Sequence, residues 1–208
     1  MRAAFEVIGA ALEDLWETLI PSALCSVLWL LCMLLVVPGA PATVALAEMA
    51  QRVQTRDSFT PGDYLAAIRR NFGLGWRWGA IAFPVTLVLL VDYQYGDVLL
   101  APALVMPARL FVVAALLLWA LLQLYALALL FAQEQPRVGQ ALRNAAVMAL
   151  KNPHFSLTLV LIAGLLFGLS LLLIVVNFLL GPMFFAFLGR RAVMDRVAAW
   201  RAESQPIP

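Results

Sequence analysis

The sequence predicts an all-α integral membrane protein, a polytopic bundle of about five transmembrane helices with amphipathic surface helices. Hydrophobic residues make up 64% of its 208 residues and charged residues only 12%. A soluble domain is nearer half apolar and a quarter charged, and so short a chain cannot hide this excess in one core. Uncharged stretches also recur at lengths that suit a helical crossing of a bilayer. Residues 1–208 are therefore predicted to form a single membrane domain.

The N-terminal region predicts a surface helix followed by the first span. Apolar residues recur at helical spacing over 3–18, opposite Glu6, Glu13 and Glu17, which indicates an amphipathic helix. Residues 19–37 are uncharged and long enough for one crossing, because a helix rises about 1.5 Å per residue through hydrocarbon about 30 Å thick. A secretory signal peptide begins with a basic leader, whereas this leader is acidic, so the apolar run is interpreted as an anchor.

Glycine and proline mark two predicted interruptions of the helices. Pro38, Gly39 and Pro41 follow the first span and predict a turn, because proline lacks an amide hydrogen and glycine accepts turn conformations. Gly181 and Pro182 predict a second break within the last apolar run. A helix is expected to end at each site.

The middle of the chain predicts two further amphipathic helices and two well-separated spans. These are amphipathic helices over 62–72 and 137–151 and spans over 74–91 and 108–132. An acidic and aromatic connector is expected over 92–97, followed by a bent interfacial stretch over 99–107. Asn71 and Asn152 each follow a basic residue at the end of an amphipathic helix, which indicates a weak internal repeat.

The last apolar run leaves the number of spans open between four and five. Residues 155–188 are too long for one straight crossing and short for two. Two spans over 155–173 and 175–190 with a tight join are the favoured interpretation. The alternative is one crossing followed by a broken or interfacial segment. Residues 190–208 are expected to form a basic, soluble tail.

The distribution of arginine and lysine predicts the orientation. With five spans, twelve of the 14 Lys and Arg residues fall on one side, whereas four spans divide them eight to six. Because cytoplasmic loops are rich in these residues, five spans in a bacterial inner membrane are favoured, with the N-terminus outside and the C-terminus in the cytoplasm. A topology-setting role is favoured over lipid-headgroup binding for five of the arginines. They are Arg69, Arg70, Arg77, Arg190 and Arg191.

Two polar side chains are candidates for contacts within the membrane. Gln123 is the most central strong hydrogen-bonding residue and Asn177 is the second. For both, an interhelical hydrogen bond is favoured over contact with a transported substrate. No acidic residue is predicted at mid-span, which counts against a proton-coupled transporter.

An enzyme is the least favoured class of function. Cys25 and Cys32 share one apolar run, and His154 is the sole histidine, so neither a metal site nor a cofactor is expected. The sequence contains no phosphate-binding loop, zinc-binding helix motif or serine elbow. Its net charge of +2 is too small to indicate nucleic acid as a partner.

Residues 38–43, Pro-Gly-Ala-Pro-Ala-Thr, resemble the Pro-x-x-Thr-x-Gly-Pro-Ala turn after the first span in the YesL family of bacterial membrane proteins. The order of helix, span, turn, short helix, amphipathic segment and span is also similar, as is the late Lys-Asn-Pro entry at 151–153. The likeness covers most of the chain. The sequence departs from the pattern at Pro41, where Gly-Pro aligns only after a shift.

The resemblance implies a membrane protein whose family has no established biochemical role and supplies no catalytic residues. Genomic neighbourhoods of family members imply an accessory role beside carbohydrate transporters. We therefore expect a non-enzymatic accessory or partner of a carbohydrate transport system. Its expected partners are membrane lipids and either transporter subunits or further copies of itself. The alternative is a small self-contained transporter or channel.

Overall fold

Helices make up nearly all of the computed structural model, which describes residues 2–55, 57–99, 102–170 and 174–204. No strand occurs in these ranges. The helices are α1 (Arg2–Glu17), α2 (Leu19–Leu34), α3 (Gly39–Gln54), α4 (Pro61–Arg70), α5 (Phe72–Leu99), α6 (Pro102–Leu130), α7 (Val138–Lys151), α8 (Pro153–Ser170) and α9 (Ile174–Ser204). The predicted all-α class is confirmed.

Two helices are long and apolar enough to cross a membrane without a break, namely Phe72–Gly96 in α5 and Ala103–Leu130 in α6. Two pairs of consecutive helices, each bent at a short break, also meet this criterion if each pair is counted as one broken span. The α1–α2 pair is bent by 93° and the α7–α8 pair by 103°. The described residues thus contain two to four candidate spans, and the count of about five stays a prediction. The predicted spans 155–173 and 175–190 coincide with α8 and the first half of α9, apart from residues 171–173, which lie outside the described ranges.

Helices continue through three places where the sequence predicted an interruption. α5 runs through the expected connector at 92–97, and α6 includes Pro107. α9 passes Gly181 and Pro182 and extends through most of the expected tail, so the prediction that these two residues end a helix is wrong. A proline removes one backbone hydrogen bond, whereas ending a helix in hydrocarbon would leave several polar groups unpaired.

The first predicted turn is present, with a different role for its last proline. α2 ends at Leu34, residues 35–38 form the turn, and α3 begins at Gly39. Pro41 lies in the first turn of α3, where a proline costs no helical hydrogen bond, so it begins a helix and does not break one. Val36 adopts a positive φ of 61°, which is strained for a β-branched residue and makes the reversal sharp.

α1 has apolar side chains on both its buried and its exposed face. Ala4 and Ala11 are fully buried, and Val7, Ile8 and Leu15 are also buried, whereas Phe5, Leu12 and Trp16 are exposed. The predicted amphipathic helix is therefore present, but half of its large apolar residues face away from the protein. Small residues at helix contacts are typical of membrane proteins, where bulky side chains gain as much from lipid as from protein.

The long helices form two antiparallel pairs. In the α5–α6 pair, Trp78 Nε1 donates to Gln123 Oε1 at 2.7 Å, and Trp119 Nε1 donates to Thr86 Oγ1 at 3.0 Å. In the α8–α9 pair, the rings of Phe167 and Phe185 are 6.0 Å apart, and the Arg196 guanidinium lies 4.1 Å above the ring of Phe155. The ends of α8 and α9 that carry Phe155 and Arg196 therefore lie on the same side of the bundle.

The two predicted repeat positions carry the same local structure. Asn71 Nδ2 donates to the carbonyl of Ala67 at 3.0 Å, and Asn152 Nδ2 donates to the carbonyl of Met148 at 3.3 Å. Each asparagine closes a short helix that is followed by two long ones, α4 before α5 and α6, and α7 before α8 and α9. The bonds supply partners for carbonyls at the helix ends.

A half-buried ion pair joins α1 to α9. Arg191 Nε donates to Asp14 Oδ2 at 2.6 Å, and its Nη2 contacts Asp14 Oδ1, so the pair is bidentate. Asp14 is only 3% exposed. Bidentate guanidinium–carboxylate contacts fix orientation as well as distance, so this pair sets where α1 lies on the bundle.

Replacing Gly75 by alanine is expected to destabilise the protein by about 1–3 kcal/mol. A Cβ at Gly75 would stand 2.4 Å from the Cα of Pro41, so α3 and α5 would have to separate. The measurement is thermal unfolding of the purified chain in detergent. Gly73→Ala is the control, because nothing lies within 4 Å of a Cβ there and alanine favours the helix. Equal unfolding temperatures for the two variants would contradict the close approach.

Asp14→Asn is expected to lower the free energy of unfolding by about 1–3 kcal/mol, because it leaves the Arg191 charge without its counter-ion. The same unfolding measurement tests it. Glu6→Gln, at an exposed position of the same helix, removes an equal charge and is expected to have little effect. If both variants unfold like the unmodified protein, the ion pair does not anchor α1.

Candidate intramembrane binding site

A partly open cavity of about 560 Å³ lies between α2 and α3 on one side and α6, α8 and α9 on the other. Its wall is almost wholly apolar. Both polar residues predicted for the membrane interior, Gln123 and Asn177, line it, as do Gly181 and Pro182. The fold thus brings residues from distant parts of the sequence to one site.

Gln123 contributes a side-chain amide in which only the oxygen has a hydrogen-bond partner among the described residues. Its Oε1 accepts a hydrogen bond from Trp78 at 2.7 Å, which is an interhelical bond of the kind predicted. Its Nε2 is buried and has no hydrogen-bond partner among the described residues. Because Trp78 fixes which atom of the amide is the acceptor, Nε2 is left as an unused donor of a side chain that lines the cavity.

Asn177 contributes the second amide, from α9. Its Oδ1 would lie 2.7 Å from a Cβ placed on Gly181, so the glycine provides the space that the amide occupies. Gly181 was predicted as a helix breaker, but its role here is to make room for a polar side chain. Asn177 and Gly181 are one turn apart on the same face of α9.

Trp29 and Thr43 line the cavity on the side of α2 and α3, and their polar groups are hydrogen-bonded within the protein. Trp29 Nε1 donates to Thr43 Oγ1 at 3.0 Å, and the threonine hydroxyl donates to the carbonyl of Gly39 at 3.1 Å. These bonds tie α2 to α3 just behind the turn. Since both donors are used, the amides of Gln123 and Asn177 are the groups best placed to recognise a ligand.

A second cavity of about 300 Å³ adjoins the first. The two share Ala120 and Leu124 of α6, Phe167 of α8 and Phe185 of α9. The ring contact between Phe167 and Phe185 lies at this shared boundary. The two cavities therefore lie side by side along α6, with these four side chains between them.

The five arginines to which the sequence analysis assigned a topology-setting role do not line the cavity, and two of them form ion pairs between helices. Arg191 pairs with Asp14, and Arg70 pairs with Glu48 of α3. Arg69 and Arg77 are exposed. For Arg190, the Nε atom is buried and has no hydrogen-bond partner in the described part of the chain.

Glu48 forms a cluster at the α3–α4 corner that the sequence did not single out. Its Oε2 accepts from Asn71 Nδ2 at 2.6 Å, and its Oε1 contacts Arg70 and, at 3.5 Å, Arg52. Arg52 also lies 3.6 Å from Asp63, which caps α4. The side chain of Glu48 is 14% exposed. The available signal was the four-residue spacing of Glu48 and Arg52 in a helix.

Asp14 is the second residue whose role the sequence analysis missed, although its position on the buried stripe of α1 indicates one. It falls three positions after Ala11 and seven after Val7, on the stripe of α1 that is buried. A carboxylate on a buried stripe requires a partner, and here that partner is Arg191.

Within the described residues, no group of three or more His, Cys, Asp or Glu side chains could hold a metal ion. Cys25 and Cys32 are both free thiols.

Comparison with known proteins gives one partial match. Residues 23–93 match the family described as "Protein of unknown function, DUF624". This uncharacterised family includes YesL-like proteins. The matched segment contains most of α2, its turn, α3, α4 and most of α5. No curated protein and no solved structure matches the chain.

Proposed function

We propose that this chain is a non-enzymatic accessory protein of the bacterial inner membrane that partners a transport system. Carbohydrate uptake is the class of transport that the YesL resemblance implies. The observation that supports the proposal is a set of charged surface helices, α4, α7 and residues 192–204 of α9, which are together called the platform. These surface helices make up a large part of a small membrane protein, and they provide a surface suited to a protein partner.

Charged and aromatic contacts attach the platform helices to their neighbours. The Glu48 cluster joins α4 to α3, and the Lys151 ammonium at the end of α7 lies 5.2 Å from the ring centre of Trp200 in α9. Arg69 and Arg143 are exposed, and Leu150 is 80% exposed. Exposed arginines suit a protein partner, because arginine is enriched among the residues that contribute most to binding at interfaces.

The platform is assigned to the cytoplasmic side. The Asp14–Arg191 pair ties α1 to the half of α9 that leads into the platform, which supports an N-terminus on the same side. In that case α2 and α3 form a re-entrant hairpin, and α5, α6, α8 and the first half of α9 make four crossings. Thirteen of the 14 Lys and Arg residues then share the cytoplasmic side, and Arg109 alone lies opposite. This arrangement differs from the predicted N-terminus-outside orientation and has the stronger charge bias.

The alternative is a small self-contained transporter, which the cavity beside Gln123 and Asn177 favours. A sugar would need many hydrogen-bonding groups, and the described wall offers few. The cargo of such a transporter would therefore be apolar, which separates this alternative from carbohydrate uptake.

The orientation predicts the pattern of thiol labelling in intact spheroplasts. In a background without Cys25 and Cys32, an impermeant maleimide is expected to label Tyr95→Cys at the outer end of α5. Glu6→Cys in α1 and Arg143→Cys in α7 are expected to react only after permeabilisation. All three positions are exposed. Labelling of Glu6→Cys in intact spheroplasts would overturn the re-entrant hairpin and support the N-terminus outside.

The accessory role predicts what the protein retains in mild detergent. The membrane subunit of a sugar transporter is expected to co-purify with it from native membranes. Reversing both exposed platform charges, Arg69→Glu with Arg143→Glu, is expected to reduce recovery about tenfold by opposing the charge complementarity of the contact. Gln94→Glu, at an exposed position on the opposite side, is the control and should leave recovery unchanged. Recovery of only the protein's own copies, or equal recovery with all variants, would contradict the role.

A further inference from the structure

We propose that the cavity beside Gln123 and Asn177 binds a neutral, single-chain amphiphile from the bilayer, of the chemical class of monoacylglycerols. This site is separate from the platform, and neither proposal depends on the other.

The shape and lining of the cavity select an apolar chain. The main cavity of about 560 Å³ has a second cavity of about 300 Å³ beside it, and four side chains line both. Pockets of this size hold small-molecule ligands, and an almost wholly apolar space fits an apolar chain better than a compact polar molecule. The cavity is partly open, so a ligand can enter it.

The absence of charge in the wall selects a neutral ligand. None of the described residues that line either cavity is charged. A carboxylate or phosphate held here would be removed from water without a counter-ion, which is costly at membrane depth. Free fatty acids and anionic phospholipid headgroups are therefore poor ligands for the interior of this site.

The two amides select a polar head that accepts and donates hydrogen bonds. Gln123 Nε2 is a buried donor with no partner among the described residues, whereas its Oε1 is already used by Trp78. Buried polar atoms in folded proteins nearly always have a partner, and an ester or hydroxyl oxygen of the ligand would supply it once the Gln123 side chain turns this donor toward the cavity that it lines. Asn177, from the facing helix, can bind a second polar atom of the same head.

Equilibrium binding of radiolabelled monoolein to the purified full chain in detergent micelles tests the site. Saturable binding is expected for the unmodified protein. Ala120→Phe places a large ring where the two cavities meet and is expected to weaken binding at least about tenfold. Ala114→Phe is the matched control, because it is another exposed alanine of α6 that lines neither cavity. Both variants should keep the unmodified unfolding temperature.

A second pair of variants tests the polar contact. Gln123→Leu keeps the side chain's approximate size and removes the donor, so monoolein is expected to bind about tenfold more weakly. This change also removes the acceptor of the Trp78 bond. Trp78→Phe breaks the same interhelical bond without touching the donor, and it is expected to bind monoolein nearly as well as the unmodified protein.

Three results would overturn the inference. The first is binding that does not saturate or that Ala120→Phe and Ala114→Phe change equally, which indicates only general lipid contact. The second is competition by hexadecane as strong as that by unlabelled monoolein, which shows that no polar head is recognised. The third is stronger competition by oleate, which shows that the site prefers a negative charge.

Discussion

The whole architecture depends on the need to pair every backbone polar group in a solvent that offers no hydrogen bonds. This constraint explains why helices continue where local sequence suggests an end. Pro107 and Pro182 lie inside long helices because each costs one backbone bond, whereas a break would expose several. The same constraint explains why the sharp turn after α2 begins a new helix immediately, with Pro41 in its first turn.

Charge is confined by the same solvent, and this confinement organises the surface helices. Asp14 and Glu48 are nearly buried carboxylates, and each contacts an arginine from another helix. An unpaired carboxylate at such a position would be strongly disfavoured, so the pairs fix α1 on α9 and α4 on α3. The two pairs thus add directional contacts to helices that also bury apolar side chains, such as Ile8 in α1 and Tyr64 in α4.

The sequence predicts the helices better than their contacts. Helical periodicity and uncharged length predicted helices where α1, α4, α7 and the two unbroken candidate spans lie, because these signals are local. The number of spans stays a prediction. The predicted break at Pro182 is wrong, because the cost of ending a helix depends on the surrounding solvent, not on the residue alone. α5 also continues through 92–97, which the local composition did not indicate. Polarity within apolar runs singled out Gln123 and Asn177, but their common cavity depends on α9 passing beside α6, which no local pattern encodes.

The cavity and the platform are connected through a single helix. α9 carries Asn177 in the cavity wall, Arg191 in the ion pair with α1, and Trp200 in the contact with Lys151. Pro182 lies between the first two of these residues, and α9 nevertheless continues through it as one helix. The cavity wall, the ion pair and the surface contact are therefore built on one continuous hydrogen-bonded backbone, which is the form of chain that hydrocarbon permits.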